Sequence, residues 1–229
     1  MRTCASVHAA SAGQVWLSSL VATVALAAAA ASANAAALAV HVTGPDGKPV
    51  AGAVVLLHGP SGSKPPPPTT LIIDQVGETF TPGLTVIPVG SSVTFPNSDK
   101  VSHQVYSFSP AKRFQLPLYR GTPYAPTVFD RAGIVTLGCN IHDDMIAYVV
   151  VTDATWSGRT ARDGSWSASG LPNGDFRAEI WHPRMREATE MIERPLKLEA
   201  SHSGTLEVQL THSLRPEMLG RKPRSWSDY

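Results

Sequence analysis

The chain has 229 residues, room for one or two modest domains once a leader is removed. Nineteen Lys and Arg face 18 Asp and Glu, for a formal charge of +1. With no long basic cluster, this balance excludes a general polyanion binder and argues against any nucleic-acid partner.

Residues 1–35 read as an export signal peptide. Arg2 and the amino terminus are the only early positive charges, residues 15–31 are apolar and uncharged, and Ala33-Asn34-Ala35 is a small-x-small cleavage pattern. A membrane anchor is the competing reading, but the stretch is mostly alanine, barely long enough to span a bilayer, and has no charged stop after it. Cleavage puts the mature protein in the periplasm or outside the cell, with no membrane span. It also removes Arg2 and Cys4, so the formal charge falls to zero and Cys139 is the one cysteine left. A lone thiol in an oxidising compartment calls for a second chain or a metal.

Residues 40–58 alternate apolar and polar around a turn at Pro45-Asp46-Gly47, the pattern of a hairpin, with Ala53-Val54-Val55-Leu56-Leu57 as a buried strand. Residues 63–70, including Lys64 and four prolines, predict an extended linker. Residues 71–152 carry short β-prone runs broken by Gly, Pro, Asn and Asp, which predict a β-sandwich. Residues 114–126 are the least regular part and suit a long loop. Residues 153–212 are again β-rich, with turns at Asp163-Gly164 and Asn173-Gly174. A short helix is expected over 187–197, interrupted by Pro195, and residues 213–229 read as a flexible tail.

Gly138-Cys139-Asn140-Ile141-His142-Asp143-Asp144-Met145 carries the chemistry. A strand enters, a strand leaves, and the loop between them offers thiolate, imidazole and thioether at C-x-x-H-x-x-M spacing. Such a loop can wrap one ion and needs a further ligand from elsewhere. The best candidate is His103, which opens a strand after a turn-rich segment. Two imidazoles and a thiolate with a weak axial methionine select copper. Structural zinc seldom takes a thioether, and hard cations want oxygen. Asp143 and Asp144 are expected to be solvated. Singly, Cys139 and Met145 would be core residues and His103 a surface histidine; order, spacing and strand context together favour ligation. His41, His58, His182, His202 and His212 have no Cys or carboxylate at ligand spacing and read as surface or structural. Trp166 and Trp181 read as buried sandwich aromatics, with a sugar-stacking face as the alternative.

The segments Phe95-Pro96-Asn97-Ser98-Asp99, His103 and Leu137-Gly138-Cys139-Asn140-Ile141-His142-Asp143 resemble the cupredoxins. The likeness is to the short-loop amicyanin- and plastocyanin-like members and to the cupredoxin-like family labelled methylamine utilisation proteins. It covers residues 71–152 and implies an all-β, Greek-key sandwich with one type 1 copper held by His103, Cys139, His142 and Met145. Asn97, Gln104, Asn140, Asp143 and Asp144 would support the ligands or the docking surface. Asp143 stands where familiar members often have proline, and Gln104 where many have asparagine. The flanks resemble another family. Residues 44–55, with Thr160-Ala161-Arg162-Asp163-Gly164-Ser165-Trp166 and Gly170-Leu171-Pro172-Asn173-Gly174-Asp175-Phe176, look like carboxypeptidase-regulatory-like or transthyretin-like sandwiches. Residues 38–62 and 153–212 are therefore expected to form an outer sandwich into which the copper unit is inserted.

The resemblance implies a one-electron carrier that docks a redox partner protein, with Asp143 and Asp144 favouring a basic one. Copper trafficking or storage and a carbohydrate-binding-like interaction module are the alternatives. No nucleophile–base pair or paired catalytic carboxylates point to an enzyme, and no sequence feature sets an oligomeric state.

Overall fold

The structure is a computed structural model, and it describes residues 36–186, 191–199 and 203–216. The expected signal, His202 and residues 217–229 of the expected tail lie outside the described residues. Those residues are all-β, with no helix among them.

The chain begins with β1 (Ala36–Thr43) and β2 (Val54–His58). Strands β3 (Thr70–Ile72), β4 (Asp74–Gln75), β5 (Phe80–Thr81), β6 (Leu84–Pro88), β7 (Ser91–Thr94), β8 (His103–Ser109), β9 (Lys112–Tyr119), β10 (Thr127–Phe129), β11 (Gly133–Cys139) and β12 (His142–Thr152) follow. The chain closes with β13 (Trp156–Arg159), β14 (Ser165–Leu171), β15 (Gly174–Trp181), β16 (Ile192–Leu198) and β17 (Ser203–Gln209). Sheets β14-β1-β17 and β13-β2-β15-β16 join strands from both ends of the chain, with Val40 opposite Trp166 and Val55 opposite Ile180. Between those ends, sheets β6-β12-β11-β8-β9 and β10-β7-β3 form a second β-sandwich. The small β4-β5 hairpin belongs to the same unit.

Side-chain alternation explains the layers. In β1, Ala36, Leu38, Val40 and Val42 are buried and their neighbours half-buried, the period of two that a one-sided strand requires. The apolar run in β2 is buried on both faces. Val55 and Leu57 enter the core of the first sandwich with Phe176 and Ile180. Val54 and Leu56 face the other way and pack with Trp181 against Leu84, Ile134 and Val150 of the second sandwich. Trp181 is wholly buried, its ring edge-on to Tyr148 at 5.3 Å, so it offers no sugar-stacking surface. Trp166 is half-buried against the first core.

Three expectations fail. Residues 40–58 make the turn and a short antiparallel pairing across it, Thr43 with Pro49, but the buried run is not the second arm of that hairpin, because β1 and β2 lie in different sheets. The chain arches across the core after Val50, held by Thr160. That hydroxyl donates to Val50 O at 2.7 Å and accepts from Ala53 N–H at 2.9 Å. The expected helix over 187–197 is instead β16 from Ile192 onward, paired with β15; residues 187–190 lie outside the described residues. The expected loop over 114–126 begins as strand, since β9 runs to Tyr119. Pro195 and Pro117 explain both misreadings. Each breaks a sequence pattern, yet each lies in a strand at a sheet edge, where a missing N–H costs no ladder bond. The described start of the expected tail is anchored, with Arg215 donating to Met185 O at 2.6 Å.

Candidate metal centre

The β11–β12 turn contains only Asn140 and Ile141, so Cys139 and His142 stand directly opposite each other in register. The next pair back is Gly138 with Ile146. Asp143, Asp144 and Met145 are therefore extra residues on β12 with no partners on β11, a bulge that re-aims the side chains. The two aspartates turn outward and are exposed, while Met145 turns inward and is 1% exposed. Met145 and Cys139 line the same cleft beside Tyr106 and Leu137. From the adjacent strand β8, His103 is 0% exposed.

His103 Nδ1 and His142 Nδ1 each lie 3.9 Å from Cys139 Sγ, and the two imidazole rings are 4.9 Å apart. Bond lengths of about 2.0 Å to imidazole and about 2.3 Å to thiolate put N and S about 3.7 Å apart at a trigonal angle. The three side chains thus already have the spacing of donors to one ion. Among the described residues they are the one His/Cys/Asp/Glu group found at such spacing. Cys139 is 3% exposed and forms no disulfide. A buried soft donor between two imidazole nitrogens, with a thioether lining the same cleft, fits copper and fits hard cations poorly.

A carboxylate holds the outer nitrogen of one ring and another faces that of the second. His103 Nε2 lies 2.7 Å from Asp99 Oδ2. Burial pushes the Asp99 carboxyl up, but the Glu78 N–H, the His103 ring and the Gly77 N–H outweigh it and hold it below the usual carboxylate range. An ionised carboxylate only accepts, so His103 donates from Nε2 and turns a lone pair on Nδ1 toward Cys139. His142 Nε2 faces Glu78 Oε2 at 3.8 Å.

Asn97 buckles the loop that delivers Asp99. Its Nδ2 donates to Val101 O at 2.9 Å and Tyr119 O at 2.7 Å, and its Oδ1 accepts from Asp99 N–H at 3.0 Å. Beneath it, Gln75 donates to Tyr119 Oη at 2.6 Å, which donates to Phe95 O at 2.6 Å. Burial, chiefly, pushes the Tyr119 hydroxyl up to about 12. Gln104 is 7% exposed at the bulge beside His103. Asn140 is exposed at the turn; Asp143 lines the Cys139 cleft, and Asp144 a second cleft with Arg184 and Arg215.

Sequence reasoning passed over Asp99, Glu78, Gln75 and Tyr119. Asp99 lay within the quoted motif, four residues before His103; the others come from distant strands and left no local signal. His58, read as surface or structural, is paired with carboxylates from distant strands, Nε2 3.1 Å from Glu179 and Nδ1 3.5 Å from Asp153. Burial first, then the Arg177 charge, nevertheless lowers its pKa.

No protein-family model and no curated protein matches the chain. Several solved structures are similar over little more than a third of it. A copper-containing nitrite reductase from Thermus scotoductus SA-01 is 26% identical over 38% of this chain and 23% of its own, with a TM-score of 0.34. This chain therefore spans about a quarter of that enzyme. A purple cupredoxin from Nitrosopumilus maritimus is 26% identical over 37% of this chain and 99% of its own, TM-score 0.32. The reduced state of an amicyanin mutant is 26% identical over 36% of this chain and 82% of its own, TM-score 0.32.

Proposed function

We propose that the chain is a periplasmic or secreted copper protein that carries one electron at a time. The convergence of His103 Nδ1, His142 Nδ1 and Cys139 Sγ beside Met145 supports this reading. Copper bound there would supply a Cu(II)/Cu(I) couple. The protein's part is to keep four donors in one arrangement through both states. His103 and Cys139 are fixed in neighbouring strands, and Met145 is buried by the bulge. His142, with 24% of its side chain exposed, is the donor nearest the surface and the natural edge for electrons to cross. A redox partner would meet exposed Asp143 and Asp144 there, which favours a basic docking face.

The near-complete burial of His103 and Cys139 supports a retained ion over one handed on, since trafficking needs an open site. With methionine as the remaining donor, the reading leaves no position for substrate and no catalytic step. The test is an optical spectrum of the copper-loaded protein beside Cys139→Ser. Wild type should show intense visible absorption from the thiolate bond, and the variant none. Equal spectra would refute the reading, and a colourless, rapidly exchanging Cu(I) form would transfer it to trafficking.

A further inference from the structure

The β4–β5 hairpin closes with a two-residue turn, Gly77-Glu78, where Val76 N–H donates to Thr79 O at 3.0 Å and Thr79 N–H returns to Val76 O at 3.3 Å. Both turn residues have positive φ, 59° and 57°. Glycine and asparagine suit such a turn; glutamate with its Cβ does not. Strain in a side-chain-bearing residue invites a functional account when the same residue touches a site.

This hairpin tip reaches both histidines of the site, His103 through Asp99 and His142 through the Glu78 side chain. Gly77 N–H donates to Asp99 Oδ1 at 2.6 Å and Glu78 N–H to Asp99 Oδ2 at 2.9 Å, fixing the carboxylate that orients His103. The carboxylate of the same Glu78 faces the outer nitrogen of His142 at 3.8 Å, charge-contact spacing longer than a hydrogen bond, with about a third of its side chain exposed. The hairpin is tied down in turn by Ser98, whose hydroxyl donates to Asp74 Oδ2 at 2.7 Å, and by the Gln75–Tyr119 bond. An isolated surface ion pair would contribute little. Here the carboxylate is carried by a tip whose backbone is already fixed from three directions, so only the glutamate side chain itself has to be ordered to meet His142.

We propose that Glu78 is a positioning residue of the metal centre. Its carboxylate keeps the His142 ring turned with Nε2–H outward and Nδ1 toward Cys139, and its charge favours the oxidised ion. Only the second of these clauses rests on the copper reading. Removing one negative charge at this range should shift the relative affinity for Cu(II) over Cu(I) by on the order of tenfold, or about 59 mV for one electron.

The test compares wild type, Glu78→Gln, Glu78→Ala and Asp175→Asn, the last an exposed charge control on the other sandwich. In metal-free protein, at a pH where imidazoles are neutral, ring-nitrogen NMR should find the His142 proton on Nε2 in wild type and Glu78→Gln. Glu78→Ala should give a mixture of tautomers. In copper-loaded protein, both Glu78 variants should raise the potential by about the figure above, and Asp175→Asn should not. An unchanged tautomer in Glu78→Ala, or potentials matching Asp175→Asn, overturns the proposal while the copper reading stands. If wild type takes up no copper, that reading fails, and the metal-free measurement alone decides whether Glu78 positions His142.

Discussion

Asp99→Ala is the most direct perturbation of the ligand support. Asp99 accepts three hydrogen bonds, from Gly77 N–H, Glu78 N–H and His103 Nε2, and it is 15% exposed while His103 is fully buried. Alanine leaves the ring N–H buried with no acceptor, a loss of about 1–3 kcal/mol. The two backbone N–H groups lie nearer water and can be rehydrated, so the expected loss of stability stays near 2 kcal/mol in urea unfolding of the metal-free protein. Copper affinity should fall about 10–100-fold, because a free ring can turn Nδ1 away from Cys139. Asp99→Asn sharpens the comparison. Its amide oxygen can still accept, but a wrongly turned amide presents N–H to N–H, so affinity should fall between wild type and alanine. Competition titration against a copper chelator reads the affinities. If Asp99→Ala matches wild type in both unfolding and affinity, packing alone sets the His103 ring, and the carboxylate has no orienting role.

Met145→Leu should keep copper and colour but raise the reduction potential; complete loss of copper would show that the thioether does more than tune an axial position. Trp181→Ala should cost about 3–5 kcal/mol in urea unfolding, as expected for emptying a fully buried indole site, and the loss should appear in both sandwiches by hydrogen exchange. Gly164→Ala should cost at least about 2 kcal/mol, because its φ is +76° and an added Cβ would sit 2.5 Å from Val42 O. His182, 7% exposed, has its pKa lowered to about 4, first by burial and then by Arg184. The unfolded imidazole takes its proton near pH 6.5 and the folded one near pH 4, so stability is full above about 6.5 and declines as pH falls toward about 4. His182→Gln should flatten urea-unfolding stability across that window; an unchanged slope would refute the assignment.

Elements whose burial follows one local period were legible from sequence. β1 shows its alternation, and the apolar run of β2 shows burial on two faces. The grouping of Cys139 with His142, and Met145 in the same cleft as Cys139, was readable because one short segment carries all three. Misreadings arose where meaning depends on a partner strand. Pro117 and Pro195 look like breakers until their strands are known to be edges. Residues 40–58 look like one hairpin until Thr160, more than a hundred residues away, is seen holding an arch between Val50 and Ala53. The carboxylates on His103 and His142 were hidden differently. Asp99 was adjacent but had no marked role, and Glu78 reaches His142 only because a separate hairpin lands on the site.

The two sandwiches meet at the strand that carries His142 and Met145. β12 starts at His142, carries Met145 in its bulge, and five residues further places Val150 between the sandwiches, against Val54, Leu56 and Trp181. Val149 and Val151, on the opposite face, lie in the second core. A strand gripped on both faces at one end is restrained along its length, and the bulge at the other end re-aims the side chains it carries. The ligand turn itself has little to hold it, since Asn140, Asp143 and Asp144 are exposed. Its order must come from β12 below, from the register with β11, and from the Gly77-Glu78 tip above. A loosened sandwich interface should therefore reach the metal centre through β12 before it reaches His103, whose ring is clamped separately by Asp99.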